Sequence, residues 1–326
     1  MSKTCLIRTF LRENALESVI GIFKDSGYLV RYIDPETQDR FSAEDLENAE
    51  VIIGNLNLYI LKKCKNLKWL QVSSSGADAF AKSGVLDRDK TVLTNATGAY
   101  GHAIAEYMVA GVLSLTKKFN LYRDDQFSGR WVDHGFVKTI NGSKVLIVGF
   151  GDIGSQFGEK MHALGARITG IKRTPSEKPD FVNDIYTLDK LNELLPSADV
   201  VALCLPNTRQ TTNIMGEEQF KLMKDDAILI NVGRGSAIDT DALTKALHNR
   251  VIAGAVLDVT EPEPLPADHP LWQEKNAVIT PHISGGYHSI EIVESIEKII
   301  IENCRRYVNG QDLINIVDYD TGYRKN

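Results

Sequence analysis

The segment Lys144–Gly154 reads KVLIVGFGDIG, and this stretch decides the fold. Its first half, KVLIV, predicts a buried β-strand, and the pattern of residues 155–164 predicts a helix. Between them lie Gly149, Gly151 and Gly154, spaced as G-x-G-x-x-G. The first glycine permits a tight turn, the second lets backbone amides approach a pyrophosphate, and the third allows close packing of helix on strand. The segment therefore predicts a dinucleotide site at a helix N-terminus.

Outward from this segment, short β-branched runs alternate with helix-like stretches. Runs such as DVVALCL are almost continuously apolar, which is typical of parallel strands covered on both faces. The strands predicted after the glycine-rich turn are Arg167–Lys172, Val200–Leu205, Ala227–Val232, Ala253–Val259 and Val278–Pro281.

A second, smaller α/β series precedes the segment. Helices are predicted at 14–26, 43–48, 103–117 and 290–308, a polar, aromatic-dotted connection at 119–141, and a loosely ordered tail from Asp318. Because 326 residues exceed what one core usually serves, we expect two domains. The predicted strands of the smaller series are Thr4–Thr9, Tyr28–Ile33, Val51–Gly54, Leu67–Ser73 and Val92–Asn95.

The composition is that of a globular protein, with 43% hydrophobic and 25% charged residues. A formal net charge of -6 argues against nucleic acid or an anionic membrane as the main partner. The four cysteines have no paired spacing, so neither a metal site nor a disulfide framework is predicted. The first residues lack the features of a signal peptide, and we expect a cytoplasmic protein.

The charge after the second strand of the larger series indicates which dinucleotide binds. The acidic residue expected there, which would bind the adenosine ribose, is absent, and Lys172 and Arg173 stand in its place. Two cations would attract a 2′-phosphate, so NADP(H) is favoured and NAD(H) is the alternative. The structural alternative is that these cations cap a solvated strand end.

Three later segments carry ionisable groups at predicted strand ends. Arg234 lies between two glycines, Glu263 lies in a proline-rich loop after Asp258, and His282 follows T-P. An Arg fork suits a carboxylate, and ligands of open α/β sheets bind at the carboxyl ends of the strands. Taken singly, Arg234 could pair with a surface acid, Glu263 could be solvated, and His282 could be structural.

Together the segments resemble the D-isomer-specific 2-hydroxyacid dehydrogenase family over essentially the whole chain. The resemblance rests on the order of G-x-G-x-x-G, G-R-G, D-V-x-x-x-E-P-L-P and T-P-H-x-x-G, and on two upstream signatures, residues 72–78 and 103–106. It implies two Rossmann-like or flavodoxin-like doubly wound α/β domains. The cofactor domain, 100–284, is inserted into a discontinuous substrate domain, 1–99 and 285–326.

The resemblance also implies the chemistry. Arg234 would bind and polarise a small 2-oxo acid, His282 would act as acid and base, and Glu263 would hold the His282 ring. Backbone amides around Ser75 and Gly76 would bind the substrate carboxylate. The predicted cofactor residues are Gly149, Gly151, Asp152, Ile153, Gly154, Lys172, Arg173, Leu205, Pro206, Val232 and Asp258, and Asp258 could instead cap a turn.

The resemblance further implies a homodimer formed through the cofactor domain, to which Phe119–Trp131 could contribute. Within the family, Glu263 argues against formate oxidation, because formate dehydrogenases typically carry Gln there. Phosphoglycerate dehydrogenases fit the motifs, and the cationic pair suits a glyoxylate/hydroxypyruvate reductase. A dinucleotide-sensing corepressor scaffold of the same fold is the non-enzymatic alternative. Tyr100, His102 and Tyr287 flank the motifs as candidate pocket residues.

Overall fold

The computed structural model describes residues 3–174, 177–287 and 289–325. These form two compact units, one from residues 3–100 with 289–325 and one from 101–287. Each unit holds a parallel sheet with helices, so the predicted α/β class with two Rossmann-like domains is confirmed.

The first unit begins with a five-stranded parallel sheet in the order β2-β1-β3-β4-β5. This is the flavodoxin-like strand order, in which the chain changes direction between β1 and β3. Trp69 and Phe23 are fully buried beside the sheet. The elements are β1 Thr4–Ile7, α1 Glu13–Asp25, β2 Leu29–Tyr32, α2 Ala43–Glu47, β3 Ala49–Ile53, α3 Leu58–Leu61, β4 Trp69–Gln71, α4 Asp78–Ala81 and β5 Val92–Thr94.

The second unit contains a seven-stranded sheet in the order β12-β11-β10-β9-β6-β7-β8, and all its strand pairs are parallel. The chain runs outward from β6 to β8 and then returns to β9, so the switch point lies between β6 and β9. The elements are α5 Gly101–Thr116, α6 Phe119–Phe127, β6 Lys144–Val148, α7 Asp152–Ala163, β7 Arg167–Ile171, β8 Val182–Tyr186, α8 Leu191–Leu194, β9 Val200–Leu203, α9 Glu217–Leu222, β10 Ile228–Asn231, α10 Thr240–His248, β11 Gly254–Leu257 and β12 Ala277–Ile279.

The chain then returns to the first unit through helix α11, Ile290–Val308, and a hairpin of β13, Val317–Asp318, with β14, Tyr323–Arg324. Helix α11 packs on α1. The buried Glu297 accepts hydrogen bonds from Arg12, from its backbone N at 2.7 Å and from Nη2 at 2.7 Å. Residues far apart in the chain thus complete one core.

The structure differs from the sequence prediction at three places. The connection 119–141 contains helix α6. This helix was not predicted, because the polar, aromatic-dotted sequence lacks the apolar period that identifies a helix. Strand β8 was not predicted, because it lies at the edge of the sheet and has the polar sequence VNDIY. The tail from Asp318 is ordered as a hairpin, in which the Asp318 carboxylate accepts the Thr321 backbone N–H at 2.8 Å.

Most other strands occur where predicted but are shorter by one or two residues at their ends. Among the described residues, no helix combines the length and apolar character needed to cross a membrane. No cluster of His, Cys, Asp or Glu in this part of the chain could hold a metal ion.

Candidate active site

The glycine-rich turn lies at the switch point of the second unit. Gly149 has φ +98°, and a Cβ there would stand 2.4 Å from the carbonyl oxygen of Cys204, in the loop after β9. A Cβ at Gly154 would stand 2.6 Å from the oxygen of Gly149. Both positions therefore require glycine, because any side chain would collide with backbone. Nothing lies within 4 Å of a Cβ built on the exposed Gly151, which leaves open space beside the turn.

Helix α7 begins at Asp152, directly after this turn. The first N–H groups of a helix, here those from Asp152 and Ile153 onward, have no intrahelical acceptor and carry partial positive charge. The Asp152 carboxylate lies against Gly101 at the start of α5, since a Cβ there would stand 2.9 Å from its oxygens. Its side chain is therefore directed toward α5, and only its backbone is left for the predicted dinucleotide site.

The two predicted cations follow β7, beside the turn. The N–H groups of Gly149 and Phe150 both donate to the oxygen of Ile171, the last residue of β7, at 3.0 and 2.8 Å. Lys172 comes next and is half-buried, and Arg173 is exposed. The end of β7 is thus joined directly to the glycine-rich turn.

The loops after β9 and β10 complete this edge of the sheet. Leu205 is buried, and Pro206, whose oxygen accepts the Thr211 hydroxyl, is half-buried. Val232 is buried and donates its N–H to the oxygen of Leu203 at 3.2 Å. These predicted cofactor residues follow the carboxyl ends of β9, at the switch point, and of its neighbour β10.

Arg234 is held in a turn between two neighbouring loops. A Cβ at Gly233 would stand 2.5 Å from the oxygen of Leu205, and one at Gly235 would stand 2.0 Å from the oxygen of Thr260. The buried Asn231 accepts the Gly233 N–H at 3.0 Å and donates to the Arg234 oxygen at 2.9 Å. The two glycines let the turn pack tightly, and this packing fixes the backbone that carries the half-buried Arg234.

His282 and Glu263 are in contact. The Nδ1 atom of His282 lies 2.7 Å from Oε1 of Glu263, and the two side chains are 51% and 43% exposed. His282 has φ +53°, a left-handed conformation that is uncommon outside glycine. The backbone N–H of His282 donates to the backbone oxygen of Asp258 at 2.9 Å. The pair is open to solvent. Because Glu263 contacts Nδ1, the Nε2 atom of the His282 ring is the one that can face a ligand.

Asp258 holds the loop that carries His282. Its carboxylate is buried and accepts the Thr280 hydroxyl at 2.6 Å, the Ile283 N–H at 2.9 Å and the Ser284 N–H at 3.0 Å, as well as the Ser284 hydroxyl. These contacts are those of a turn cap, which is the alternative role that the sequence allowed for Asp258. Contact of Asp258 with a cofactor stays a prediction.

Sequence reasoning missed three residues of this arrangement. Thr280 links Asp258 to the hydroxyl of Tyr107, 2.6 Å away on α5, and burial raises the pKa of Tyr107 to about 12. Asn231 shapes the arginine turn. The polar Asn at the end of the apolar run AILIN was an available signal, whereas nothing in the sequence of α5 marks Tyr107.

The remaining predicted residues belong mostly to the first unit. Ser75 and Gly76 follow β4, and the carbonyl oxygens of the loop are engaged: Asn95 Nδ2 donates to Ser75 at 2.6 Å, and the Ser74 hydroxyl donates to Gly76 at 2.7 Å. These contacts fix the loop without using the N–H groups of Ser75 and Gly76. The buried Tyr100 donates its hydroxyl to Ser73, whereas His102 and Tyr287, in the second unit, are exposed.

A family model described as D-isomer specific 2-hydroxyacid dehydrogenase, NAD binding domain, matches residues 109–284. The chain belongs to this family. It is thus an NAD(P)-dependent oxidoreductase of 2-hydroxy acids. A glyoxylate/hydroxypyruvate reductase B from Yersinia pseudotuberculosis is 30% identical over 302 residues, which are 86% of this chain and 90% of that protein.

Two solved structures of the same family are similar over nearly the whole chain. A D-isomer specific 2-hydroxyacid dehydrogenase family protein from Aeromonas salmonicida has 30% identity and a TM-score of 0.81, covering 98% of this chain and 100% of that one. A dehydrogenase from Xanthobacter autotrophicus, in complex with NADPH and MES, has 26% identity and a TM-score of 0.81, covering 99% and 100%. These comparisons give the corepressor alternative no support.

Proposed function

We propose that this dehydrogenase reduces glyoxylate or hydroxypyruvate to the corresponding 2-hydroxy acid, with NADPH as the preferred cofactor. The observation that carries the proposal is the His282–Glu263 pair at 2.7 Å. His282 follows β12 and Glu263 follows β11, and β11 is adjacent to β10, the strand that leads to Arg234. A paired imidazole and an arginine at the same edge of a sheet are the groups that a carbonyl and its neighbouring carboxylate require. The similarity to a glyoxylate/hydroxypyruvate reductase supports this substrate class.

In the proposed mechanism, Arg234 binds the substrate carboxylate through its planar guanidinium and polarises the carbonyl. Glu263 fixes the ring and tautomer of His282, so that Nε2 donates the proton to the carbonyl oxygen as it becomes an alkoxide. Asp258 positions His282 through the loop from Thr280 to Ser284. The N–H groups of Ser75 and Gly76 are proposed to bind the carboxylate from the substrate domain.

The turn fits a dinucleotide, because nothing lies within 4 Å of a Cβ built on Gly151, directly before the helix N-terminus at Asp152. When bound, the reduced nicotinamide supplies the hydride for C2 of the substrate. The backbone from Gly151 to Gly154 would hold the pyrophosphate. Leu205, Pro206 and Val232 would border the rest of the cofactor. Lys172 and Arg173 favour a 2′-phosphate, and the NADPH complex of the similar Xanthobacter enzyme supports this choice.

The experiment is a panel of 2-oxo acids assayed with NADPH and with NADH. Glyoxylate and hydroxypyruvate should have the highest kcat/KM, and NADPH should be preferred. Pyruvate and a bulky 2-oxo acid serve as comparisons for side-chain size. A higher kcat/KM with pyruvate would contradict the substrate assignment. Tight cofactor binding with negligible turnover on the whole panel would contradict an enzymatic role.

We also propose a homodimer formed through the second unit. Four aromatic side chains of α6 and the segment after it are exposed: Phe119, Phe127, Trp131 and Phe136, with Trp131 and Phe136 entirely so. Exposed apolar surface of this density marks protein interfaces. Trp131→Ser with Phe136→Ser should convert a dimer into a monomer in sedimentation velocity. A wild-type monomer would contradict the proposal.

A cytoplasmic location is proposed from the thiols. All four cysteines are free, and burial raises the pKa of Cys64 to about 11 and of Cys204 to about 12. Free, unreactive thiols are typical of proteins that work in a reducing compartment. Cell fractionation of the native protein tests the assignment.

A further inference from the structure

A second cleft opens in the first unit, and none of the residues assigned to the reaction lines it. Its walls come from the end of β1, the loop before α2, and the segment from Asn57 to Lys63 after β3. Strands β1 and β3 are adjacent, and the chain changes direction between them, so the cleft lies at the switch point of this sheet. In open α/β sheets this is the place where ligands bind.

The cleft has the size and lining of a small-molecule site. Its volume is about 670 Å³, within the range of about 300–1,000 Å³ for such sites. Its apolar part is formed by Phe41, Leu46 and Ile60, of which Leu46 is buried, and the ring of Tyr59 stands exposed at the rim. An apolar surface with polar groups around it suits an organic ligand rather than an inorganic ion alone.

The charge of the lining is cationic. Arg8, Arg40 and Lys63 all line the cleft, and none of its lining residues in the described chain is Asp or Glu. This contrasts with the net charge of -6 for the whole protein. Three cations that converge on one concave surface raise the local concentration of anions.

Two contacts give these groups an orientation. Arg8 Nη2 donates to the oxygen of Thr37 at 3.0 Å, which holds the guanidinium at the cleft. Lys63 Nζ lies 4.6 Å from the centre of the Tyr59 ring. Asn57 uses its Oδ1 to accept the Tyr59 N–H at 2.7 Å, so its amide group is the part left to donate. The rim therefore presents donors of known position to a ligand.

We propose that this cleft is a second ligand site, for a small organic anion that carries a phosphate or at least two carboxylates. The cations bind the anionic groups, and the apolar surface of Phe41 and Ile60 covers the carbon skeleton. The proposal is independent of the dehydrogenase reaction, because it uses none of the residues assigned to it.

The test is isothermal titration calorimetry of the full chain with phosphoglycolate, citrate, inorganic phosphate and glycerol. Phosphoglycolate or citrate should bind more tightly than inorganic phosphate, and glycerol should not bind. The tighter of the two organic ligands shows whether the cleft prefers a phosphate or several carboxylates. Arg40→Gln and Lys63→Gln should each weaken binding by about fivefold to tenfold, the loss expected for a partly exposed charge-assisted hydrogen bond. Binding should also weaken as salt is raised.

Lys65→Gln is the matched control, because Lys65 is exposed two residues beyond that segment and does not line the cleft. It should leave the affinity unchanged, and so should Arg234→Gln in the other unit. Ile60→Trp, which fills the cleft, should abolish binding while circular dichroism and the Tm remain those of a folded protein. The proposal is overturned if none of the anions binds, if Lys65→Gln weakens binding as much as Lys63→Gln, or if Arg234→Gln abolishes it.

Discussion

At the scale of single residues, the site depends on side chains whose neighbours hold them in place. His282 has an unusual backbone conformation and a carboxylate at Nδ1, and Lys172 is held at the end of a strand joined to the glycine-rich turn. Each of these residues has a defined role in the proposed reaction, and each role can be tested by one substitution.

His282→Ala should lower kcat by about 10²- to 10⁴-fold, the usual contribution of a general acid, with little change in the Kd of the cofactor. His248→Ala is the matched control, because His248 also contacts a glutamate, Glu274, with its Nδ1 at 3.2 Å, but lies at the end of α10. Steady-state kinetics and cofactor titration measure both effects. Near-normal turnover in His282→Ala would remove the acid–base assignment.

Lys172→Glu should lower the preference for NADPH over NADH by at least about tenfold, because a carboxylate repels a 2′-phosphate and binds the ribose hydroxyls instead. Lys245→Glu makes the same change of charge on the exposed face of α10 and should leave the preference unchanged. The ratio of kcat/KM for the two cofactors is the measurement. An unaltered ratio in Lys172→Glu would mean that the lysine only caps the strand.

At the scale of elements, loops after parallel strands bring the site residues together. The loop after β12 is held by the buried Asp258 carboxylate, which accepts hydrogen bonds from its hydroxyl and backbone groups. In the second unit, the segment after α6 is held by Asp125, which lies 2.6 Å from His134 Nε2 and also accepts from Arg130. Both carboxylates act on loops rather than on helices or strands.

Asp258→Asn should lower kcat by about tenfold to a hundredfold, because an amide offers one oxygen where the loop needs two, and His282 is then poorly positioned. If Asp258 acts only through the loop, the Kd of the cofactor stays within about twofold. A large rise in that Kd would instead support the predicted contact with the cofactor. Kinetics and fluorescence titration of the cofactor separate the two outcomes.

Asp125→Asn should destabilise the protein at neutral pH and less so in acid. Hydrogen bonding from His134, and then from Arg130, lowers the pKa of the Asp125 carboxyl. A depressed folded-state pKa contributes stability above the unfolded value of about 3.9, and this contribution is lost as the pH falls through the folded value. The Tm difference between variant and wild type should therefore shrink toward pH 3. A constant difference would mean that Asp125 acts by packing alone.

The sequence located the strand ends that carry the candidate residues better than the contacts that hold the loops after them. Strands such as β6 and β10 are strongly apolar, so their ends could be located, and Gly149, Arg234 and His282 each lie within three residues of a strand end. The support for these residues comes from distant parts of the chain: Tyr107 reaches Asp258 through Thr280, and no local pattern marks it. The second cleft was missed for the same reason, because Arg8, Arg40 and Lys63 are single cations that only the fold brings together.

At the scale of the whole molecule, the two ends of the chain form one unit. Asn303 on α11 donates to Gln71 Oε1 at 2.8 Å and to the Ile314 oxygen at 3.0 Å, and it accepts the Ile314 N–H at 2.8 Å. Both Asn303 and Gln71 are fully buried. This polar network joins the last helix to the centre of the sheet.

Asn303→Leu should lower the free energy of unfolding by about 2–4 kcal/mol, because it removes both hydrogen bonds of the Ile314 backbone to Asn303 and one of the two hydrogen bonds that the buried Gln71 Oε1 accepts. Asn309→Leu, an exposed substitution on the end of the same helix, should cost less than about 1 kcal/mol. Urea unfolding can be followed by the fluorescence of the buried Trp69 in a Trp131→Phe, Trp272→Phe background. Equal effects of the two substitutions would contradict a structural role for the network.

The closure of the first unit by both chain ends has a consequence for synthesis on the ribosome. Arg12 and its partner Glu297 are 285 residues apart, so at about 5–20 residues per second the partner emerges roughly a quarter of a minute to a minute later. The strands of the second unit are all made before α11 and can assemble while the chain is still growing. Until α11 emerges, the face of Phe23 and Trp69 lacks Tyr307 of that helix and is open to chaperones.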